Sequence, residues 1–180
     1  MDIIDTPLAG LKCLVPRLFP DDRGYFLETY HAHKYAPVVG GAPFVQDNLS
    51  HSRRGVLRGL HYQFPDWQGK LVFPVSGEIF DVAVDIRADS PTAGQWYGVV
   101  LSAKDHRQLY VPPGFAHGFC VLSETADVIY KCTALYNPGA EFTLAWDDPA
   151  VGVAWPVADP VVSAKDRQGR SLAAVLNDVR

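Results

Sequence analysis

Apolar and polar residues alternate along most of this chain in short runs, and a period of two predicts strands rather than helices. The clearest run is EIFDVAVDI. Phe80, Val82, Val84 and Ile86 share one face there while Asp81, Ala83 and Asp85 share the other, the pattern of a half-buried strand. The same reading covers YFLETY (25–30), KLVFPV (70–75), QWYGVVLS (95–102), RQLYV (107–111), GFCVLS (118–123), TADVIYKCTALY (125–136) and EFTLAW (141–146). Turn signals separate the runs: Ser76-Gly77, Asp89-Ser90-Pro91, Pro112-Pro113-Gly114, Asn137-Pro138-Gly139 and Asp147-Asp148-Pro149. Helical spacing is confined to a short piece at HAHKYA (31–36) and to SLAAVLNDV, where Ser171 is placed to cap the first turn. The expectation is an all-β sandwich or barrel with a few short helices.

Composition narrows the class. With 180 residues, 48% of them apolar, the chain suits one domain over 1–180 with a core of its own. A net charge of −4 argues against a nucleic-acid partner. No basic leader precedes an apolar stretch, and no run approaches the roughly 20 apolar residues of a membrane span, so no membrane partner is expected. Three cysteines without C-x-x-C spacing indicate neither a disulfide framework nor a zinc knuckle, and a reducing, cytoplasmic setting is the default. Charge is unevenly spread, however: Arg53, Arg54, Arg58 and Lys70 face a single acid, Asp66, between residues 53 and 70. That stretch suits either a small anionic ligand such as a phosphate or a solvated loop.

Three segments carry candidate chemistry. In VLRGLHYQ, Arg58 and His61 lie three positions apart and would face opposite sides of a regular strand, but Gly59 between them can mark a bulge that turns both into one cavity. In VPPGFAHGF, His117 follows a rigid Pro-Pro-Gly turn, and Pro112-x-Gly114-x-x-His117 resembles the second motif of cupin barrels, whose histidine often binds a metal. The first cupin motif normally supplies an H-x-H pair and a glutamate, whereas GLHYQFPDWQGK has only His61. The one H-x-H, His31-Ala32-His33, falls in a loop or short helix where its rings diverge, so no metal is expected. In TADVIYKCTALY, Tyr130 shares a face with Ala126, Val128 and Cys132 and points inward, either as core packing or as a proton donor.

Taken together, DDRGYFLE (21–28), VQDNLSHS (45–52), VLRGLHYQ, QGKLV (68–72), GEIFDVAVDIR (77–87), VPPGFAHGF, Tyr130-Lys131 and SAKD (163–166) resemble the dTDP-4-dehydrorhamnose 3,5-epimerase family, in order and over nearly the whole chain. The resemblance implies a cupin-type double-stranded β-helix, a jelly-roll barrel free of metal and cofactor, that forms a homodimer by exchanging N-terminal strands. It implies a dTDP-sugar substrate, dTDP-4-keto-6-deoxy-D-glucose, whose C3 and C5 flank the C4 ketone. By the same resemblance His61 matches the general base, Asp166 the carboxylate that orients it, Tyr130 the acid that reprotonates the opposite face, and Lys70 the cation beside the C4 oxygen. Arg23, Arg58 and His117 match contacts to phosphate and sugar. Phe19, Phe26, Glu28, Gln46, Asn48 and Tyr136 match positions that hold base and ribose, some reaching across the dimer, and Lys165 of SAKD is a further substrate-binding position. The residue types suit the reaction: abstraction beside a ketone needs a base near neutrality and a donor for the developing enolate. Inversion needs a second group on the other face. An epimerase acting at only C3 or only C5, a ketoisomerase and a non-catalytic sugar-nucleotide binder remain open on the sequence.

Overall fold

The computed structural model describes residues 1–180. In chain order its elements are β1 (Asp2–Asp5), β2 (Lys12–Val15), β3 (Leu18–Asp21), β4 (Gly24–Leu27), α1 (Ala32–Tyr35), β5 (Gln46–Arg53), β6 (Val56–Gln63), β7 (Lys70–Ser76) and β8 (Glu78–Asp85). There follow β9 (Trp96–Ser102), β10 (Gln108–Val111), β11 (Phe115–Val121), β12 (Thr125–Cys132), β13 (Glu141–Thr143), β14 (Val161–Val162), a 3₁₀ turn (Asp166–Gln168) and α2 (Leu172–Asp178). One sheet runs β1-β2-β10-β7-β12-β5 and the other β13-β6-β11-β8-β9, with β14 added in parallel beside β6. The two face each other as the expected cupin-type barrel, while β3 and β4 form a separate hairpin.

Both helices form where expected, and Ser171 caps α2 by accepting from Ala174 N–H. Three expected strands run too long. YFLETY stops at Leu27, TADVIYKCTALY at Cys132 and EFTLAW at Thr143, where the chain turns into loops, although Leu144 still exchanges both backbone hydrogen bonds with Leu60. The segment 46–53 is a strand that its polar composition concealed: it pairs with all of β12, and its alternate residues are half-buried, with Ser52 fully buried.

The EIFDVAVDI strand corrects the expectation most sharply. It is not half-buried, since Asp81, Ala83 and Asp85 are as inaccessible as the apolar face. Ile79 and Ala83 point into the barrel with Leu8, Leu11, Val72, Leu109, Phe115, Phe119, Ala126 and Val128. Val82, Val84 and Ile86 pack outward beneath α2 and the C-terminal segment, against Leu144, Leu172 and Val175. A third cluster, Tyr35, Val38 and Val39 on Leu71, Phe73 and Tyr110, seats α1 on the outside of the first sheet. Each such aliphatic side chain contributes about 1.5–3 kcal/mol by burial. This core fills one end of the barrel and leaves the other end to polar residues.

Asp85 is buried because its carboxylate closes a turn. It accepts from Arg87 Nε at 2.8 Å, Ser90 Oγ at 2.6 Å and Thr92 Oγ1 at 2.6 Å. Burial opposes its ionisation, but these donors prevail and pull its pKa down to about 2. A carboxyl depressed in the folded state stabilises above its unfolded value and loses that contribution as pH falls through the folded one. Asp85→Asn should therefore cost about 2 kcal/mol at pH 7 by urea unfolding, a gap that narrows as pH falls from 4 toward 2.

Candidate active site

The polar end of the barrel is a cavity of about 380 Å³, within the range of small-ligand sites. One wall comes from β6, β11 and β13 and carries Arg58, His61, His117, Phe119 and Glu141. The facing wall comes from β5, β7 and β12 and carries Gln46, Asn48, Ser50, Lys70, Tyr130 and Cys132. Period-two geometry explains most of this. On β12 the stripe Ala126, Val128, Tyr130, Cys132 begins in the core and ends in the cavity, and on β7 Lys70 shares the inward face with Val72.

β6 breaks the period. Leu57, Leu60 and Tyr62 pack outward, yet Arg58 and His61 both face the cavity. Alternation slips by one at Gly59, where three steps of β6 from Arg58 to His61 stand opposite two steps of β11 from Phe119 to His117. Gly59 has φ +130, and a Cβ there would lie 2.6 Å from Gly118 Cα. Only glycine permits this crossing, and the slip is what brings arginine and histidine together.

His61 Nε2 lies 2.6 Å from Oδ1 of Asp166, the last residue of SAKD and the first of the 3₁₀ turn. Asp166 is 4% exposed and also accepts from Gly59 N–H at 3.4 Å. Burial works against its charge, but the hydrogen bond from His61 and the backbone donor outweigh it and hold the carboxyl below its ordinary value. An ionised carboxylate only accepts, so Nε2 carries the proton and Nδ1, with no protein partner, is left free. Lys70 is the reverse case. Burial pushes its ammonium pKa down, countered by Cys132, Glu141 and Asp81. Burial likewise pushes the Tyr130 hydroxyl up and keeps it protonated.

Other candidates divide clearly. Gln46 and Asn48 hydrogen-bond each other at 2.8 Å on the cavity wall, and Gln46 Oε1 accepts from Tyr136 N–H at 2.7 Å, holding Tyr136 at the mouth. Lys165 and Arg58 also stand in the lining, and Arg58 is steadied by donating to Ser52 Oγ at 2.9 Å. Phe19, Arg23, Phe26 and Glu28 are not in the lining. They lie on and just beyond the β3–β4 hairpin, where Arg23 pairs with Asp21 and Glu28 with Lys34, and Phe26 is 68% exposed. Of the basic stretch only Arg58 and Lys70 reach the cavity, because Arg53 and Arg54 sit on an exposed hairpin end. His33 lies in α1 and His31 precedes it as the N-cap residue, on the far side of the first sheet, and no three His, Cys, Asp or Glu side chains converge as metal ligands would.

Three further residues belong to this site without any motif to mark them. Glu141 accepts from Tyr136 Oη at 2.7 Å and pairs with Lys165; burial opposes its charge, and these donors still hold its pKa low. Ser50 Oγ is buried in the wall without a partner. Asp81 lies fully buried behind His117. Only the inward register of their strands marks them, and that register becomes visible once the sheets are assembled.

A model of the dTDP-4-dehydrorhamnose 3,5-epimerase family matches residues 5–174. The chain belongs to this family. A dTDP-4-dehydrorhamnose 3,5-epimerase of Pseudomonas aeruginosa is 53% identical over 88% of this chain and 88% of its own, and one of Shigella flexneri 49% identical over 94% and 95%. The Neisseria gonorrhoeae relative is 53% identical over 96% of this chain, which spans about half that relative's length. Among solved structures, the Legionella pneumophila dTDP-6-deoxy-D-glucose-3,5-epimerase in complex with dTDP-4-keto-L-rhamnose superposes with TM-score 0.95 at 48% identity, covering 99% of this chain and 96% of that one. ChmJ, a 3'-monoepimerase from Streptomyces bikiniensis in complex with dTDP-quinovose, superposes with TM-score 0.88 at 33% identity, covering 96% and 90%.

Because the Gly59 crossing admits no side chain, Gly59→Ala should destabilise the protein by about 1–3 kcal/mol, a fall of several degrees in Tm for a chain this size, and should abolish nucleotide binding at the cavity. Differential scanning fluorimetry with and without dTDP reads both.

Proposed function

We infer that the chain catalyses 3,5-epimerisation of dTDP-4-keto-6-deoxy-D-glucose to dTDP-4-keto-L-rhamnose. It is an isomerase of a family whose members carry that name, and the Legionella structure holds that product. One observation carries the mechanism: a carboxylate-paired imidazole on one wall of the cavity faces a protonated phenol and an ammonium group on the other.

His61 Nδ1 takes the proton from C3 or C5, and Asp166 fixes its tautomer and stabilises the imidazolium. The electron pair left on carbon moves onto the C4 oxygen, where Lys70 meets the charge. Lys70 is suited to this because it makes no ion pair of its own. Tyr130 returns a proton from the opposite wall, and the centre inverts. Arg58 and Lys165 suit the diphosphate, and Gln46, Asn48 and Tyr136 in the same lining suit ribose and base. His117 completes the contacts to the sugar. No step requires a metal or cofactor.

The chain acts as one catalytic domain and as a homodimer with exchanged N-terminal strands. Exposed Phe19, Tyr25 and Phe26 on the hairpin support this, as does the fully exposed edge strand β1. Phe19, Arg23, Phe26 and Glu28 then complete the nucleotide site of the partner subunit. Three buried free cysteines suit a reducing cytoplasm.

Incubation with dTDP-4-keto-6-deoxyglucose in deuterated water, followed by NMR, should show deuterium entering C3 and C5 with inversion at both. Exchange at one carbon alone would instead assign a monoepimerase, the activity named for ChmJ. His61→Asn should abolish exchange at both positions. Tyr130→Phe should leave exchange but cut inversion about 100-fold or more, because the proton then returns from the face it left. With the Lys70 pKa lowered, kcat should fall on the alkaline side at a pH below that of an ordinary lysine.

A further inference from the structure

The wall that carries His61 holds a second imidazole paired with a carboxylate. His117 is 6% exposed and Asp81 behind it 0%. His117 Nε2 lies 2.9 Å and 3.0 Å from the two Asp81 oxygens, and Asp81 has no other hydrogen-bond partner. A carboxylate taken out of water with one neutral donor is poorly compensated, whereas an imidazolium there makes the pair neutral overall and supplies a charged donor. In that form Nδ1–H is the remaining donor, and it has no protein partner on a ring that lines the cavity.

Position adds to this. His117 is the register partner of His61, and residues directly opposite in an antiparallel ladder project from the same face with Cβ atoms roughly 4.5–5.5 Å apart. His117 therefore stands beside the base at the depth of the sugar, where Phe115 and Phe119 on its own strand already belong to the core. Lys70 faces it across the cavity, near enough for the Asp81 charge to oppose the effect of burial on its proton.

We propose that His117, charged and oriented by Asp81, is a second hydrogen-bond donor to the C4 oxygen of the bound keto sugar, so that the enolate forms between Lys70 and His117. This rests on the epimerase reading above and changes what His117 does within it, from a general sugar contact to a catalytic residue. Asp81 is its positioning residue. The electron balance is simple: His61 removes the carbon-bound proton, the pair moves onto O4, two N–H donors share the charge without giving up a proton, and the pair returns to carbon when Tyr130 protonates it. Deprotonation at C3 and at C5 places charge on the same oxygen. Loss of either Asp81 or His117 must therefore slow both positions by a common factor, unlike loss of a contact to one hydroxyl or to the diphosphate.

The test compares unaltered protein with His117→Gln and Asp81→Asn, reading kcat, KM, dTDP affinity by calorimetry, and deuterium entry at C3 and C5. Expected are a kcat loss on the order of 100-fold for His117→Gln and about 10-fold or more for the isosteric Asp81→Asn, equal at the two carbons, with dTDP affinity retained. Independent of any substitution, ¹⁵N NMR of the dTDP complex at pH 7 should show both His117 ring nitrogens protonated. Slowed exchange at C3 alone, weakened dTDP binding with kcat retained, or a neutral His117 ring would each overturn the proposal. Unchanged exchange in both variants would overturn it while leaving the epimerase reading intact. Absence of exchange in the unaltered protein would instead overturn that reading and this one with it.

Discussion

The close crossing of β6 and β11 at Gly59 and Gly118 is the constraint on which the site depends. Two strands approach there until a Cβ on either glycine would overlap the other backbone, at 2.6 Å from Gly118 Cα in one direction and 2.6 Å from Arg58 O in the other. The approach shifts the phase of β6, so that one strand sends Leu57 and Leu60 outward and Arg58 and His61 inward within a few residues. Without the slip, His61 or Arg58 would lie among the outer hydrophobic residues, where a polar group without partners costs several kcal/mol. The Gly59 N–H also donates to Asp166, which ties the crossing to the orientation of His61.

Around that crossing the charges are arranged by pairing. Asp166 lies with His61, Asp81 with His117, and Glu141 with Lys165 and Tyr136, so each buried carboxylate has a donor in place. Lys70 and Arg58 are cations of the cavity without a carboxylate in ion-pair range. A cavity that satisfies its own anions and leaves cations unpaired is prepared for a ligand bearing a diphosphate and developing negative charge on a ketone oxygen. The fold alone does not decide the outcome, since ChmJ, a 3'-monoepimerase, shares it closely.

Much of this was legible in the sequence. Period two marked most strands, the Pro and Gly turns marked their ends, and VLRGLHYQ with Gly59 announced both the bulge and its consequence for Arg58 and His61. The pairing of His61 with Asp166 spans 105 positions and followed only from the family's ordered motifs, because local spacing carries no information at that range. The same motifs placed Arg23 and the hairpin aromatics in the nucleotide site, although in a single chain they stand away from the cavity.

What the sequence determined by itself was the alternation of faces along each strand, since side-chain direction in a strand is a local property of the backbone. What it left undecided was which face meets water. In EIFDVAVDI the two aspartates take the face that alternation assigns to the solvent, yet both are fully buried, one closing a turn and the other holding His117. Glu141 and Ser50 were equally silent, being ordinary polar residues until β13 joined β6 and β5 joined β12. Burial is a property of the whole assembly of sheets, so only the tertiary structure could turn a polar stripe into the wall of a cavity.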